Sequence, residues 1–125
     1  MCFVIKKGVA PWQQRTVWKV VELRKNAWLR SPYRMHFHWH ANKEYVLRKN
    51  ARTRSWIRAH AGFYVFRTQN DARAYAALFN PVFEMVVIRL EVHPDDFLYQ
   101  DERGVQATYR RVFLPEERQP DVEFF

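Results

Sequence analysis

Apolar and polar residues alternate with a period of two in two separate segments of this 125-residue chain. In residues 34–40, Met35, Phe37 and Trp39 alternate with three histidines, and in residues 85–92 four aliphatic residues alternate with Val, Arg and Glu. Because successive side chains of a strand point to opposite faces, this period predicts strands with one buried face. A fold containing a β-sheet follows from it.

Other segments are rich in β-branched and aromatic residues, which favour strands. Residues 16–23 form such a strand, in a hairpin with 27–30, and residues 62–66 form a compact one. Residues 97–100 and 105–114 flank a turn sequence and predict a second hairpin. Residues 41–58 are basic and fit either a short helix or a long loop.

One segment has the helical period instead. Thr68 is a good N-cap with Asp71 three residues later, and Asn80-Pro81 ends the pattern. The apolar stripe between them recurs at i, i+3, i+4 and i+7. It consists of Ala72, Tyr75, Ala76 and Phe79. The sequence therefore predicts an α+β domain with a mostly antiparallel sheet of five or six strands and one amphipathic helix at about 69–79.

Length and composition predict a single domain of residues 1–125, with 48% apolar residues to fill one core. We expect residues 1–14 and 115–125 to be loose ends, or the acidic tail to dock through Phe124 and Phe125. Cys2 is the single cysteine, so no internal disulfide can form. No apolar run is long enough to span a membrane, and the first residues lack a signal-peptide pattern. We expect a cytoplasmic protein without a membrane partner.

Charge is distributed unevenly along the chain. Residues 1–70 hold 15 Lys or Arg and two acids (+13), whereas residues 71–125 hold six Arg and eleven acids (−5), which sums to the net +8. Such a dipolar field steers an anion to one side of a domain. Pairing of basic with acidic strands is the alternative use of these charges. Arginine outnumbers lysine, and arginine is the better residue for bidentate phosphate contacts.

Two patterns invite chemical hypotheses that we do not favour. His36, His38 and His40 share one strand face, where imidazoles two residues apart can hold a metal, but neither cysteine nor an acid lies between Glu22 and Glu44. We expect a polar strand face and no metal. The paired acids at 95–96 and 101–102 lie in turn sequences, and no nucleophile motif or glycine-rich phosphate loop is present. We expect no catalytic residues and no cofactor.

Arginine and aromatic residues are interleaved within and beside the basic half. Arginine forks bind phosphate, and rings stack on bases for about 1–3 kcal/mol each. In the last predicted strand, Arg110 and Arg111 face opposite sides, so only one of them can point into a given site. The candidate ligand-binding residues are Trp18, Arg30, Tyr33, Arg34, Arg54, Trp56, Arg58, Tyr64, Tyr109, Arg110 and Arg111.

The strand at 62–66, the helix with Ala72 and Tyr75, and the strand at 86–92 resemble the middle of the ADP-ribosyltransferase fold. The resemblance implies that Tyr64 matches the motif tyrosine of the nicotinamide site and Tyr75 its helix tyrosine. The family's catalytic glutamate has no counterpart, since the last strand offers Gln, Thr and Arg instead. We therefore expect no transfer activity, while nucleotide binding stays open.

The chain also resembles small phage-encoded anti-defence proteins. The shared features are small size, a Trp-Lys-Val strand at 18–20, Ser-Pro-Tyr at 31–33 and a Gly-Phe strand at 62–63 that leads into one helix. In particular, the chain is similar to members that act as sponges for cyclic ADP-ribose-type or cyclic oligonucleotide signals. The resemblance implies sequestration of a host defence signal and assigns no binding residues.

These observations predict a non-enzymatic protein that captures an anionic nucleotide-type ligand, plausibly as a phage sponge. The first alternative is a nucleic-acid-binding or inhibitor module that acts on a nucleoprotein defence complex. The second is an ADP-ribosyltransferase-like enzyme. The third is a structural protein whose charge dipole packs copies together as a homo-oligomer.

Overall fold

The computed structural model describes residues 4–24, 28–31, 34–39, 43–46, 62–79, 84–115 and 123–124. These residues form strands, one α-helix and a 3-10 turn at Pro94–Asp96. The strands are β1 (Ile5–Lys6), β2 (Thr16–Arg24), β3 (Trp28–Ser31), β4 (Arg34–Trp39), β5 (Lys43–Val46), β6 (Phe63–Phe66), β7 (Met85–Glu91), β8 (Phe97–Asp101), β9 (Gln106–Tyr109), β10 (Arg111–Leu114) and β11 (Glu123–Phe124). Helix α1 spans Gln69–Ala77, between β6 and β7.

The described strands form one sheet in which every described pair is antiparallel. Eight strands follow the order β1-β8-β9-β6-β2-β7-β10-β5, while β3, β4 and β11 pair outside this path. The α+β class, the mostly antiparallel sheet and the helix are confirmed. The predicted number of five or six strands is wrong. It is too small because β1 has two residues, which show no period, and β5 lies in a segment predicted as a short helix or loop.

The strand predicted at 105–114 is two strands with different neighbours. β9 pairs with β6 and β8, whereas β10 pairs with β5 and β7. Between them, the backbone N–H of Arg110 donates to the carbonyl oxygen of Asp96 at 2.7 Å, and its guanidinium donates to the Asp96 carboxylate at 2.9 Å. Because Arg110 is bonded to Asp96, the strand pairing is interrupted at this residue, between the end of β9 and the start of β10. The prediction that Arg110 and Arg111 alternate along one strand is therefore wrong.

The sheet is strongly curved, and its concave face encloses the larger of the two apolar clusters that the described residues form. The ring centroids of Tyr45 in β5 and Phe63 in β6 lie 6.4 Å apart, although three strands separate β5 from β6 along the sheet. A flat sheet would hold these strands roughly 19 Å apart, at about 4.8 Å per step. The sheet therefore curls until its ends approach. Val17, Ile88 and Leu90 are fully buried in the enclosed cluster.

Helix α1 covers part of the opposite face. Ala72 and Ala76 are fully buried, as the predicted stripe requires, and the ring of Tyr75 packs 5.1 Å from that of Phe66. Small residues on this stripe let the helix approach the sheet closely. Thr68 is the N-cap, as predicted, because its hydroxyl oxygen accepts the backbone N–H of Asp71 at 3.2 Å. The predicted helix is thus confirmed in position and in buried face.

Both ends of the chain contribute to the sheet. β1 pairs with β8, and Trp12, in the segment expected to be loose, is only 3% exposed. At the other end, the backbone of Glu123–Phe124 pairs with Val87 and Val86 of β7. Residues 116–122 and Phe125 lie outside the described residues. The sequence shows no period in either end, which is why these pairings were not predicted.

Candidate functional site

An open groove lies where the start of β2 meets the turn between β6 and α1. β2 and β6 are neighbours in the sheet, with Trp18 and Phe66 as Cα partners, so the two chain segments come side by side. The groove has a volume of about 570 Å³, and we call it the β2–α1 groove. It is lined by Gln14, Arg15, Thr16, Trp18, Arg67, Thr68, Gln69 and Asn70.

The lining of this groove is basic and polar. Arg15 and Arg67 are exposed, and none of the eight lining residues is acidic. The N-terminus of α1 adds the partial positive charge of its backbone N–H groups. Asp71, just inside the helix, offsets part of it, and its carboxylate accepts the Thr68 hydroxyl at 2.7 Å. The net field in the groove favours an anion.

Trp18 supplies an aromatic surface to the groove. Its side chain is half-buried and packs against the apolar cluster beneath α1. The indole Nε1 is buried and has no hydrogen-bond partner among the residues that the structure describes. The ring is therefore held by packing, and its remaining surface lines the groove together with Arg15 and Arg67.

The two walls of the groove are tied together by one side chain. The Gln14 amide nitrogen donates to the carbonyl oxygens of Thr16 and Arg67, each at 2.8 Å. The backbone N–H of Arg67 in turn donates to the carbonyl oxygen of Val105 at 2.9 Å. These bonds fix the backbone on both sides of the groove, so its shape is formed without a ligand.

Of the predicted ligand-binding residues, Trp18 lies in this groove. Tyr64 is half-buried in β6, where its carbonyl oxygen accepts the Lys19 ammonium at 2.8 Å. Arg30 and Arg34 lie in β3 and β4, opposite His38 and Ser31 respectively. The remaining members of the basic cluster lie outside the described residues: Tyr33, Arg54, Trp56 and Arg58.

Arg110 and Arg111 are each paired with a carboxylate. The Arg110 guanidinium lies 2.9 Å from Asp96, and the Arg111 guanidinium lies 3.0 Å from Glu44 on the neighbouring strand β5. Neither lines the β2–α1 groove. Neither contact pairs a cation of residues 1–70 with an acid of residues 71–125, so neither represents the alternative in which basic and acidic strands pair with each other.

Neither arginine of the groove is among the residues predicted from the sequence, although a signal for Arg67 is present. Thr68 was identified as an N-cap, and a helix N-terminus is a ready anion site. Arg67 precedes that cap directly. Arg15 had no comparable signal, because it reaches the groove through the pairing of β2 with β6, which are 39 residues or more apart.

Tyr109 is a predicted binding residue that the fold buries completely. Its ring packs against those of Trp12 and Phe97, with centroid distances of 6.4 and 5.7 Å. Its hydroxyl has no hydrogen-bond partner in the described part of the chain. Burial raises the pKa of Tyr109 from 10.0 to about 12, and the positive charge of Arg67 offsets part of that rise.

We expect this hydroxyl to make stability fall at high pH. Because the pKa of Tyr109 is raised in the folded state, the neutral phenol contributes to the free energy of unfolding. This contribution is fully present below pH 10 and is lost as pH rises through about 12. The loss amounts to roughly 3 kcal/mol, at about 1.4 kcal/mol per pKa unit. Urea unfolding between pH 9 and 12 should show this decline in the wild type and a shallower one in Tyr109→Phe. Parallel curves for the two proteins would contradict the assignment.

The three-histidine face falls partly outside the described residues. His36 and His38 lie in β4, and His40 is not described. Within the part of the chain that is described, no group of three or more His, Cys, Asp or Glu side chains could hold a metal ion. The expectation that these histidines bind no metal stays a prediction.

Comparisons with known protein families, with curated proteins and with solved structures found no match. The resemblances to ADP-ribosyltransferases and to phage sponges therefore stay predictions. The strand, helix and strand that suggested the first are present as β6, α1 and β7, but β2 lies between β6 and β7 in the sheet. Among the described residues, no helix has the length and apolar character needed to cross a membrane.

Proposed function

We propose that the protein is a non-enzymatic binding protein that holds an anionic, nucleotide-type ligand in the β2–α1 groove. The observation that supports this most is the presence of two exposed guanidinium groups and an indole in one groove with no acid in its lining. Arginine forks bind phosphate oxygens, and an indole face accepts a base. Arg15 and Arg67 would hold the phosphates and Trp18 the ring.

The dimensions and stiffness of the groove suit such a ligand. Its volume of about 570 Å³ lies within the range of roughly 300–1,000 Å³ typical of small-molecule sites. The bonds from Gln14 to both walls hold the groove open in its binding shape. A site formed in advance lowers the entropy cost of binding.

The groups in the groove favour binding over bond cleavage. Acid–base or nucleophilic catalysis needs a titratable group or an activated nucleophile. The lining offers guanidinium, amide, indole and hydroxyl groups, and the hydroxyl of Thr68 is bonded to Asp71. A small protein of this kind would act by sequestering a signalling nucleotide, as the resemblance to phage sponges implies.

Calorimetry tests this proposal. Cyclic dinucleotides, cyclic ADP-ribose isomers and a 20-base oligonucleotide are titrated at low and high salt. A compact ligand should bind with a shallow salt dependence, because it makes few phosphate contacts. For the single-stranded oligonucleotide, log K should fall by about 0.7 per phosphate contact for each unit rise in log salt concentration. Arg15→Ala should weaken the compact ligand roughly tenfold to hundredfold, since a hydrogen bond to a charged group contributes about 1.5–3 kcal/mol.

Arg111→Ala is the matched control, because it removes the same charge from a strand away from the groove. It should leave affinity nearly unchanged. A larger loss in Arg111→Ala than in Arg15→Ala would place the ligand at β10 instead. Binding of the oligonucleotide alone, with a steep salt slope, would replace the proposal with a nucleic-acid-binding module.

A further inference from the structure

Trp12 lies directly behind one of the two groove arginines. We infer that Trp12 is a positioning residue that presents the Arg67 guanidinium to the phosphate groups of the ligand. The inference rests on the proposed function, because it assigns the phosphate end of that ligand to the Arg67 side of the groove.

The Trp12 ring is a rigid platform. It is 3% exposed, and its Nε1–H donates to the side-chain oxygen of Gln100 at 2.8 Å in buried surroundings. The rings of Phe97 and Tyr109 pack against it with centroid distances of 6.1 and 6.4 Å. Hydrogen bonding and packing on several sides leave the indole one orientation.

Arg67 lies on this platform with its charged end in solvent. Its guanidinium carbon is 5.1 Å from the centre of the Trp12 ring, within the distance at which a cation is attracted to a ring face. Gly104 lies beside both side chains: a Cβ there would be in ordinary van der Waals contact, 3.4 Å from the Gln100 amide nitrogen and 3.9 Å from a terminal nitrogen of Arg67. The turn between β8 and β9 thus accommodates both side chains.

The contact with the Trp12 ring suits a phosphate contact because the attraction of a cation to a ring face is electrostatic. It leaves the N–H donors of the guanidinium available to a bidentate acceptor. The backbone of Arg67 is fixed by Val105 and Gln14, and the ring limits the rotamers of the side chain. A ligand that meets a pre-ordered arginine avoids the entropy cost of ordering it.

The test uses NMR on ¹⁵N-labelled protein, with inorganic pyrophosphate as the probe. Without ligand, the Arg67 Nε–H proton should be shifted upfield by the Trp12 ring current, and the shift should disappear in Trp12→Leu. In the titration, Trp12→Phe keeps a ring and should bind pyrophosphate with an affinity within about twofold of that of the wild type. Trp12→Leu should bind roughly two- to tenfold more weakly, the effect of one unordered side chain.

Trp12→Phe and Trp12→Leu are matched, because both lose the bond to Gln100 and differ in the presence of a ring. In an Arg67→Ala background, Trp12→Leu should not weaken pyrophosphate binding further, because the effects of two coupled substitutions do not add. Three results would each overturn the inference. The two Trp12 variants could bind pyrophosphate with equal affinity, Trp12→Leu could weaken binding as much in the Arg67→Ala background as in the wild type, or the wild type could fail to bind pyrophosphate.

The outcomes also separate this inference from the proposed function. If pyrophosphate binds with the expected dependence on Trp12 and no nucleotide binds, the proposed function is wrong and the positioning role stands. If nucleotides bind and depend on Arg15 while the two Trp12 variants behave alike, the positioning role alone is wrong.

Discussion

Gly62→Ala is expected to lower the free energy of unfolding by about 2–6 kcal/mol. Gly62 has a φ of +106°, which L-residues rarely adopt, and such a backbone costs about 1–3 kcal/mol for a non-glycine residue. An added Cβ would also lie 3.0 Å from the Tyr109 carbonyl oxygen and 3.0 Å from Leu98 Cδ1. Relieving that contact requires β9 to move from β6, at a further cost of roughly 1–3 kcal/mol. Urea denaturation measures the sum.

Gly8→Ala is the control for the backbone part of this loss. Gly8 also has a positive φ, of +75°, but an added Cβ would meet nothing within 4 Å. We expect a loss of about 1–2 kcal/mol, the conformational cost alone. The difference between the two variants then measures the crowding at Tyr109. Equal losses would show that β9 yields without cost, contrary to the fully buried position of Tyr109.

Leu90→Ala is expected to destabilise the protein by about 2–5 kcal/mol. Leu90 lies in β7, is fully buried in the concave cluster, and is the Cα partner of Val17 in β2. Removing its side-chain carbons loses their burial and leaves a cavity that the surrounding strands fill only in part. A shift in the urea midpoint at unchanged slope would report the loss.

Leu78→Ala provides the same substitution at an exposed position. Leu78 is 73% exposed at the C-terminal end of α1, so its truncation should change stability by less than about 0.5 kcal/mol. Losses within 1 kcal/mol of each other at positions 78 and 90 would mean that the concave cluster is not the main core. Near-UV circular dichroism would show whether the variants keep native packing.

Uneven charge indicated the half of the chain that supplies the groove arginines, but not which arginines these are. The +13 of residues 1–70 includes Arg15 and Arg67, which line the groove. In the described part of the chain, Arg111 lies outside that half and is paired with Glu44. Whether an arginine is available to a ligand depends on its neighbours in space, which the net charge does not report.

Sequence pattern was sufficient for elements whose stabilising contacts repeat regularly. The stripe from Ala72 to Phe79 and the cap at Thr68 located α1, because helix contacts join residues three or four apart. The alternation in 85–92 located β7, and the β-branched run at 16–23 located β2. Each predicted strand begins at the observed residue and ends one residue away from the observed end.

Only the tertiary structure decided which strands are neighbours, and with this the position of the groove. The pairing of β2 with β6 brings Arg15 to Arg67, and the bonds between Arg110 and Asp96 divide one predicted strand into two. Packing against Trp12 and Phe97 buried Tyr109, which its position beside Arg110 and Arg111 had suggested for binding. Periodicity and capping depend on residues a few positions apart, whereas strand order depends on the best joint burial of distant segments. The sequence therefore determined the elements, and the packing of those elements determined the site.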